Sequence, residues 1–123
     1  MAAAGPRRVR RDPTWQDVSF DGENYYREEQ DITNREFYQQ MADRPGVFPR
    51  TSMPTVEDYL TVLRPMVERG EPVLCVCLNA PFSGSFQAAR NARSLLMEEF
   101  PRAEVCVLDS QLATVLQGVL VLE

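Results

Sequence analysis

Two short segments place hydroxyl side chains where a protein can bind an anion. The first segment is Thr51-Ser52-Met53-Pro54, and the second is Ser83-Gly84-Ser85. The second segment follows an apolar run and precedes a helical pattern, and a helix start offers unpaired amides and a positive dipole end. Hydroxyl groups add donors, and Gly84 lets the backbone approach a ligand closely. The pattern predicts a site for a small anion, and it fits a carboxylate and a phosphate equally well.

Each of these residues also has a simpler structural explanation. Ser83 and Ser85 are typical helix-capping residues, and Thr51 and Ser52 are typical of loops. Ser110, which follows a second apolar run, is interpreted as the N-cap of a further helix. The residue types alone leave these alternatives open.

Residue types that are missing from the sequence exclude several chemistries. The chain contains no histidine, and all thirteen of its basic residues are arginines. It therefore lacks Ser–His and Cys–His nucleophile pairs, imidazole metal ligands, a Schiff-base lysine and the lysine of a phosphate-binding loop. Cys75, Cys77 and Cys106 form no CxxC pair and are interpreted as reduced core thiols. No metal site and no cofactor site is predicted.

Charge and hydropathy narrow the range of partners. The net charge is −5, whereas a nucleic-acid-binding protein normally presents a basic face. The basic cluster near the N-terminus is interpreted as a solvated tail, and it consists of Arg7, Arg8, Arg10 and Arg11. No run approaches the roughly 18 apolar residues of a membrane span, and residues 1–11 lack the apolar core of a secretory signal. We expect a cytoplasmic protein with no nucleic-acid partner and no membrane span.

Helix and strand signals in the first half of the chain surround the first hydroxyl segment. Residues 18–26 predict a β-hairpin around Asp21-Gly22. Two capping boxes, in which a threonine hydroxyl and a carboxylate three residues later satisfy free amides, predict two helix starts at Thr33 with Glu36 and at Thr55 with Asp58. Residues 44–54 contain several prolines and predict a loop that carries Thr51 and Ser52.

The second half of the chain has the pattern of a strand–helix–strand unit. Residues 73–78 are apolar throughout, as in a strand that is buried on both faces of a parallel sheet. Residues 84–99 predict a helix, and residues 105–108 predict a second, parallel strand. A last helix is predicted from about Gln111, and it is apolar on nearly all sides up to Glu123. We expect such a helix to lie inside a larger structure, so the sequence looks like part of a longer protein.

The order and spacing of five motifs between Val18 and Glu123 resemble the N-terminal domain of the DegV family. These motifs are Phe20-Asp21-Gly22, Asp31-Ile32-Thr33, Thr51-Ser52-Met53-Pro54, Ser83-Gly84-Ser85-Phe86-Gln87 and Val107-Leu108-Asp109-Ser110. The third is similar to the family's Thr-Ser-x-Pro motif, and the fourth is similar to its Ser-Gly-Thr-Tyr-Gln helix start. Each motif is weak alone, and their common order makes the resemblance specific.

The resemblance implies an α/β fold, namely a parallel-sheet, three-layer domain of the DegV N-terminal type. Residues 1–16 are then an irregular N-terminal segment, and residues 17–123 are a partial DegV-like N-terminal domain. This domain is incomplete, because it lacks the family's first strand and its second domain.

The resemblance also implies a function, which is that of a binding protein and not of an enzyme. Family members bind a long-chain fatty acid and present its carboxylate to a separate ATP-dependent fatty-acid kinase. The hydroxyl groups that hold the carboxylate correspond to Thr51, Ser52 and Ser83, with Gly84 beside them. Two alternatives stay open: a phosphate- or nucleotide-binding α/β enzyme domain, and a non-functional interaction fragment with exposed apolar surfaces.

Overall fold

The computed structural model describes residues 16–122, which contain five strands and four helices. The strands are β1 (Asp17–Ser19), β2 (Tyr26–Arg27), β3 (Arg50–Ser52), β4 (Val73–Cys77) and β5 (Val105–Asp109). The helices are α1 (Asn34–Asp43), α2 (Val56–Glu68), α3 (Ser85–Glu99) and α4 (Thr114–Leu122). The segment predicted to be irregular, residues 1–16, lies outside the described residues except for Gln16, and so does its arginine cluster.

The predicted hairpin is present, and a third strand extends it. β1 pairs antiparallel with β2 on one side and with β3 on the other, where Val18 lies opposite Thr51. The prediction of a loop over residues 44–54 is therefore wrong at residues 50–52. The Asp21 carboxylate closes the β1–β2 loop by accepting the amides of Asn24 at 2.7 Å and Glu23 at 2.8 Å. These hydrogen bonds, first those from Asn24, lower the pKa of Asp21.

Both predicted capping boxes are confirmed. The Thr33 hydroxyl accepts the amide of Glu36 at 3.2 Å, and the Glu36 carboxylate accepts the amide of Thr33 at 2.8 Å. Thr55 and Asp58 form the same pair of bonds at the start of α2, at 3.1 and 2.8 Å. The two helices that flank the first hydroxyl segment therefore begin where four-residue signals predict.

The predicted strand–helix–strand unit is also confirmed. β4 and β5 are parallel, with Val73 opposite Val105, and α3 connects them. Helices α2 and α3 pack against each other and against one face of this strand pair. The helices approach closely because α3 presents Ala88, Ala89 and Ala92, none of which is more than 5% exposed. The buried side chains of α2 are Tyr59, Leu60, Leu63 and Val67.

The expectation that β4 is buried on both faces is wrong for the described part of the chain. Cys75 and Cys77 belong to the core that α2 and α3 cover, whereas the side chain of Leu74 points to the other face and is 63% exposed. Cys106 and Leu108 of β5 are exposed on that same face. We call the surface of Leu74, Cys106 and Leu108 the open face. An apolar run indicates hydrophobicity, but it does not indicate which faces other elements cover.

The last helix begins at Thr114 and not near Gln111. Ser110 is not its N-cap, because the Ser110 hydroxyl donates to the carbonyl of Cys77 at 2.7 Å and accepts the amide of Leu112 at 3.2 Å. The apolar side chains of α4 are exposed, namely Val115, Leu116, Val119, Leu120, Val121 and Leu122.

Candidate functional site

The first hydroxyl segment forms β3 at an edge of the antiparallel sheet. Thr51 and Ser52 are both exposed, and neighbouring strand residues point to opposite faces. The Ser52 hydroxyl donates to the carbonyl of Met53 over a long 3.5 Å. The guanidinium of Arg50 lies over Gly22, with Nη1 3.1 Å from the position of a Cβ there, so this charge is directed to the β1–β2 loop. The strand therefore offers two reachable hydroxyl groups.

An ion-pair network fixes the point where β3 leads into α2. The guanidinium of Arg27 lies 2.7 Å from a carboxylate oxygen of Asp17 and 3.1 Å from one of Asp58. Asp58 is also the capping residue of α2, so one carboxylate joins the helix start to β1 and β2. Pro54, between β3 and α2, is buried. These contacts hold the C-terminal end of β3 in place.

The second hydroxyl segment forms the loop between β4 and α3. The amide of Phe82 donates to the carbonyl of Asn79 at 3.0 Å, which turns the chain after the strand. Ser83 is half-buried, and its hydroxyl lies 2.8 Å from that of Ser85 and accepts the Ser85 amide at 3.2 Å. Gly84 is the N-cap residue of α3 and provides no side-chain cap. Neither serine is therefore the N-cap, and their hydroxyl pair holds the loop.

The structure brings the two hydroxyl segments together through Met53 and Gly84. The side chain of Met53 lies against Gly84, and a Cβ at position 84 would be 2.7 Å from its Sδ and 2.9 Å from its Cε. Each of these residues directly follows a predicted hydroxyl residue, Ser52 in one segment and Ser83 in the other. The space beside Gly84, where the sequence predicts close approach of a ligand, is occupied on this side by the thioether of Met53.

Two residues that the sequence did not mark as site residues support the loop that carries Ser83. The Asp109 carboxylate accepts the amide of Gln111 at 2.9 Å and lies 3.4 Å from the amide of Ala80. The Ser110 hydroxyl donates to the carbonyl of Cys77 at the end of β4. Their signal in the sequence is a position directly after the apolar run of residues 105–108, which indicates where they lie but not what they contact.

The three thiols have different surroundings. The Sγ atoms of Cys75 and Cys77 lie 3.8 Å apart on one face of β4, as their spacing predicts. Cys77 is buried, and the hydrogen bond with Cys77 together with burial raises the pKa of the Cys75 thiol. Cys106 is exposed, so its interpretation as a core thiol is wrong. None of the three, all within the described residues, forms a disulfide.

Other features of residues 16–122 leave the hydroxyl segments as the main candidates. No cluster of three or more His, Cys, Asp or Glu side chains in this range is arranged to hold a metal ion. No helix in this range combines the length and the apolar character that crossing a bilayer requires. A shallow, open depression of about 400 Å³ lies beside Val73, Leu74 and Val105, at the end of the parallel strands opposite to Ser83. Its lining contains no hydroxyl side chain.

Known proteins resemble this chain in sequence and in structure. The family model "Uncharacterised protein, DegV family" matches residues 17–123. A DegV domain-containing protein of Clostridium acetobutylicum is 35% identical over 94 residues, which are 76% of this chain and 32% of that protein.

Two solved structures extend the likeness to the fold. A stearic-acid-binding protein from Eubacterium ventriosum has 50% identity and a TM-score of 0.85, over 88% of this chain and 37% of that one. A fatty-acid-binding DegV family protein from Thermus thermophilus has 34% identity and a TM-score of 0.69, over 89% of this chain and 36% of that one.

The matched region contains both hydroxyl segments and all nine secondary-structure elements of residues 16–122. The chain spans about a third of the length of the relatives that it matches. Its mixed α/β architecture with a parallel strand pair agrees with theirs, and the chain belongs to the DegV family.

Proposed function

We propose that this chain binds a long-chain fatty acid and presents the carboxylate to a separate ATP-dependent fatty-acid kinase, with residues 17–123 as a partial N-terminal domain. The names of the Eubacterium and Thermus proteins, which state fatty-acid binding, support the proposal. The observation that carries it is the contact of Met53 with Gly84, since this contact joins two segments that each carry a hydroxyl donor.

The head group is bound by hydroxyl groups and by the start of α3. Ser83 donates to the carboxylate together with one hydroxyl group of β3, that of Ser52 or that of Thr51, because these two neighbours point to opposite faces of the strand. The backbone beside Gly84 adds the positive end of the helix dipole. Hydrogen bonds to a charged group contribute about 1.5–3 kcal/mol each, and the dipole adds about 0.3–1 kcal/mol. These donors keep the carboxylate ionised without lysine or histidine, which the chain does not contain.

The hydrocarbon tail provides most of the binding free energy. Burial stabilises each methylene by about 0.8 kcal/mol, so a long acyl chain contributes on the order of 10 kcal/mol before entropic costs. The tail therefore sets the affinity, and the hydroxyl groups set which end is presented to the kinase. The kinase performs the phosphoryl transfer in the cytoplasm, and this chain is not itself an enzyme.

Substitution of Ser83 tests the proposal. We expect Ser83→Ala to weaken stearate binding about tenfold, because one hydrogen bond to a charged group is lost. Isothermal titration calorimetry of the purified chain with stearate measures the dissociation constant. Ser94→Ala is the matched control, because Ser94 is exposed on α3, the helix that follows the Ser83 loop, and its hydroxyl donates to the carbonyl of Arg90.

Equal dissociation constants for Ser83→Ala and the wild-type chain would contradict the assignment of Ser83. Binding of ATP or inorganic phosphate in place of stearate would instead support a phosphate-binding domain. A kinase assay with ATP and a fatty-acid kinase follows the acyl phosphate product, which should form more slowly when stearate is supplied by the Ser83→Ala chain.

A further inference from the structure

The glycine at position 84 is explained by space and not by backbone conformation. Its φ of −72° and ψ of 3° are available to any amino acid. Gly46 and Gly70, in contrast, have φ of 91° and 72°, which favour glycine, and a Cβ at either would meet no atom within 4 Å. A Cβ at position 84 would instead overlap the thioether of Met53. The absent side chain therefore leaves space for Met53.

Met53 is not an ordinary core residue. Its side chain is 43% exposed, and it directly follows β3, while the next residue, Pro54, is buried. A partly exposed side chain gains less from burial than a core methionine does, so stability alone does not account for its fit against Gly84.

We propose that Met53 is a positioning residue for the carboxylate site, and this inference rests on the proposed function above. Contact of its thioether with Gly84 sets the separation between Ser52 and Ser83, because each of these serines directly precedes one of the two contacting residues. One carboxylate can accept both hydroxyl groups only if each lies within about 2.5–3.0 Å of an oxygen. A shift of the Met53–Gly84 contact therefore changes head-group binding without changing the groups that bind.

A variant that removes this contact should still fold. The atoms of Met53 nearest to position 84 are Sδ and Cε at the end of a flexible side chain, and such a chain adopts another rotamer at a small cost. We therefore expect Gly84→Ala to keep the fold and to displace the thioether.

The test compares Gly84→Ala, Met53→Ala and the double variant, with stearate and with octadecanol, which has the same tail and an uncharged head. We expect each single variant to lower the preference for stearate over octadecanol at least about threefold, with octadecanol binding unchanged. The double variant should lose no more of this preference than the single variants do, because all three variants remove the same contact. Gly118→Ala, with nothing within 4 Å, and Met41→Ala, on α1, are the matched controls.

A methyl NMR spectrum of the ligand-free chain, labelled with 13C at the methionine methyl groups, tests the contact independently of lipid. Among the five methionines, the signal that Met53→Ala removes should shift in Gly84→Ala and stay in place in Gly118→Ala. An unchanged Met53 signal in Gly84→Ala would overturn the contact, even if stearate binds. In the binding comparison, an equal loss of affinity for stearate and for octadecanol would overturn the positioning role. A double variant whose loss of preference is the product of the losses of the two single variants would also overturn it. Failure of the wild-type chain to bind stearate would overturn the proposed function and this role with it, whereas the NMR result would still decide the contact.

Discussion

The hydroxyl group of Ser110 joins the C-terminal ends of the two parallel strands. It donates to the carbonyl of Cys77 at the end of β4 and accepts the amide of Leu112 after β5. The carbonyl of Leu112 in turn accepts the amide of Asn79 at 3.0 Å. The loop that carries Ser83 is thus attached to the neighbouring strand by a relay of three hydrogen bonds.

Ser110→Ala should lower the free energy of unfolding by about 1 kcal/mol, because the amide of the half-buried Leu112 loses its acceptor. The Ser110 amide also donates to Cys77 at 3.0 Å, so the carbonyl keeps one partner. Urea denaturation followed by circular dichroism measures the change. Ser94→Ala, at an exposed position, should change the free energy of unfolding by less than about 0.5 kcal/mol. Equal free energies of unfolding for the two variants would contradict the relay.

At the residue scale, the sequence predicts which groups can donate but not what they contact. Thr51, Ser52 and Ser83 are identifiable because their residue types and their places shortly before predicted helix starts are local properties. The role of Met53 depends on Gly84, and the role of Ser110 depends on Cys77, 33 positions earlier in the chain. Contacts of this kind arise from tertiary packing, and the spacing of residues in the sequence does not predict them.

At the element scale, predictions succeed where the determining atoms are close in sequence. The capping boxes at Thr33 and Thr55 complete their hydrogen bonds within four residues, so both helix starts are confirmed. The sequence does not predict β3, because this strand is short, polar and flanked by prolines, and its partner β1 is far away in the sequence. The apolar runs at residues 73–78 and 105–108 predict β4 and β5, although one face of these strands is exposed in the described residues.

The Asp58 carboxylate makes the start of α2 sensitive to acid. Burial opposes its ionisation, but hydrogen bonds from Thr55 and Arg27 outweigh burial and hold the pKa of Asp58 below its ordinary value. A carboxylate whose pKa is lower in the folded chain stabilises that chain above its ordinary pKa of about 4, and this stabilisation disappears as the pH falls through the lower value.

We therefore expect Asp58→Asn to be less stable than wild type by about 1 kcal/mol at pH 7, with a smaller difference at pH 3. Urea denaturation at both pH values measures this, with Asp43→Asn as control because Asp43 contacts only Gln39 of its own helix among the hydrogen bonds described. A difference in the free energy of unfolding that grows on acidification would contradict the lowered pKa of Asp58.

At the scale of the whole molecule, residues 16–122 combine a well-covered core with large exposed apolar surfaces. The open face and the side chains of α4 lie outside the core of α2 and α3. The apolar character of both surfaces was predictable from sequence, but their exposure was not. Exposure depends on how elements are arranged in three dimensions, and hydrophobic periodicity does not report it.

The two faces of the parallel strand pair should differ in thiol reactivity. A short pulse of N-ethylmaleimide under native conditions should modify Cys106, which is exposed, well before Cys77, which is 3% exposed. Cys75 should also react slowly, because its hydrogen bond with Cys77 and its burial raise the pKa of the thiol. Mass spectrometry of the digested chain measures each site, and equal reactivity in urea is the control. Modification of Cys77 as fast as Cys106 in native buffer would contradict the described packing.

The alternation between covered and open positions also has a consequence for sequence drift. Side chains at Val73, Cys75 and Cys77 must fit a volume that α2 and α3 define, so one additional methylene there overpacks the core and destabilises the fold. The side chains of Leu74 and Cys106 are exposed, so no packed element limits their size within the described residues. Tolerated substitutions along these strands are therefore expected to follow a two-residue rhythm, strict in size at one position and permissive at the next.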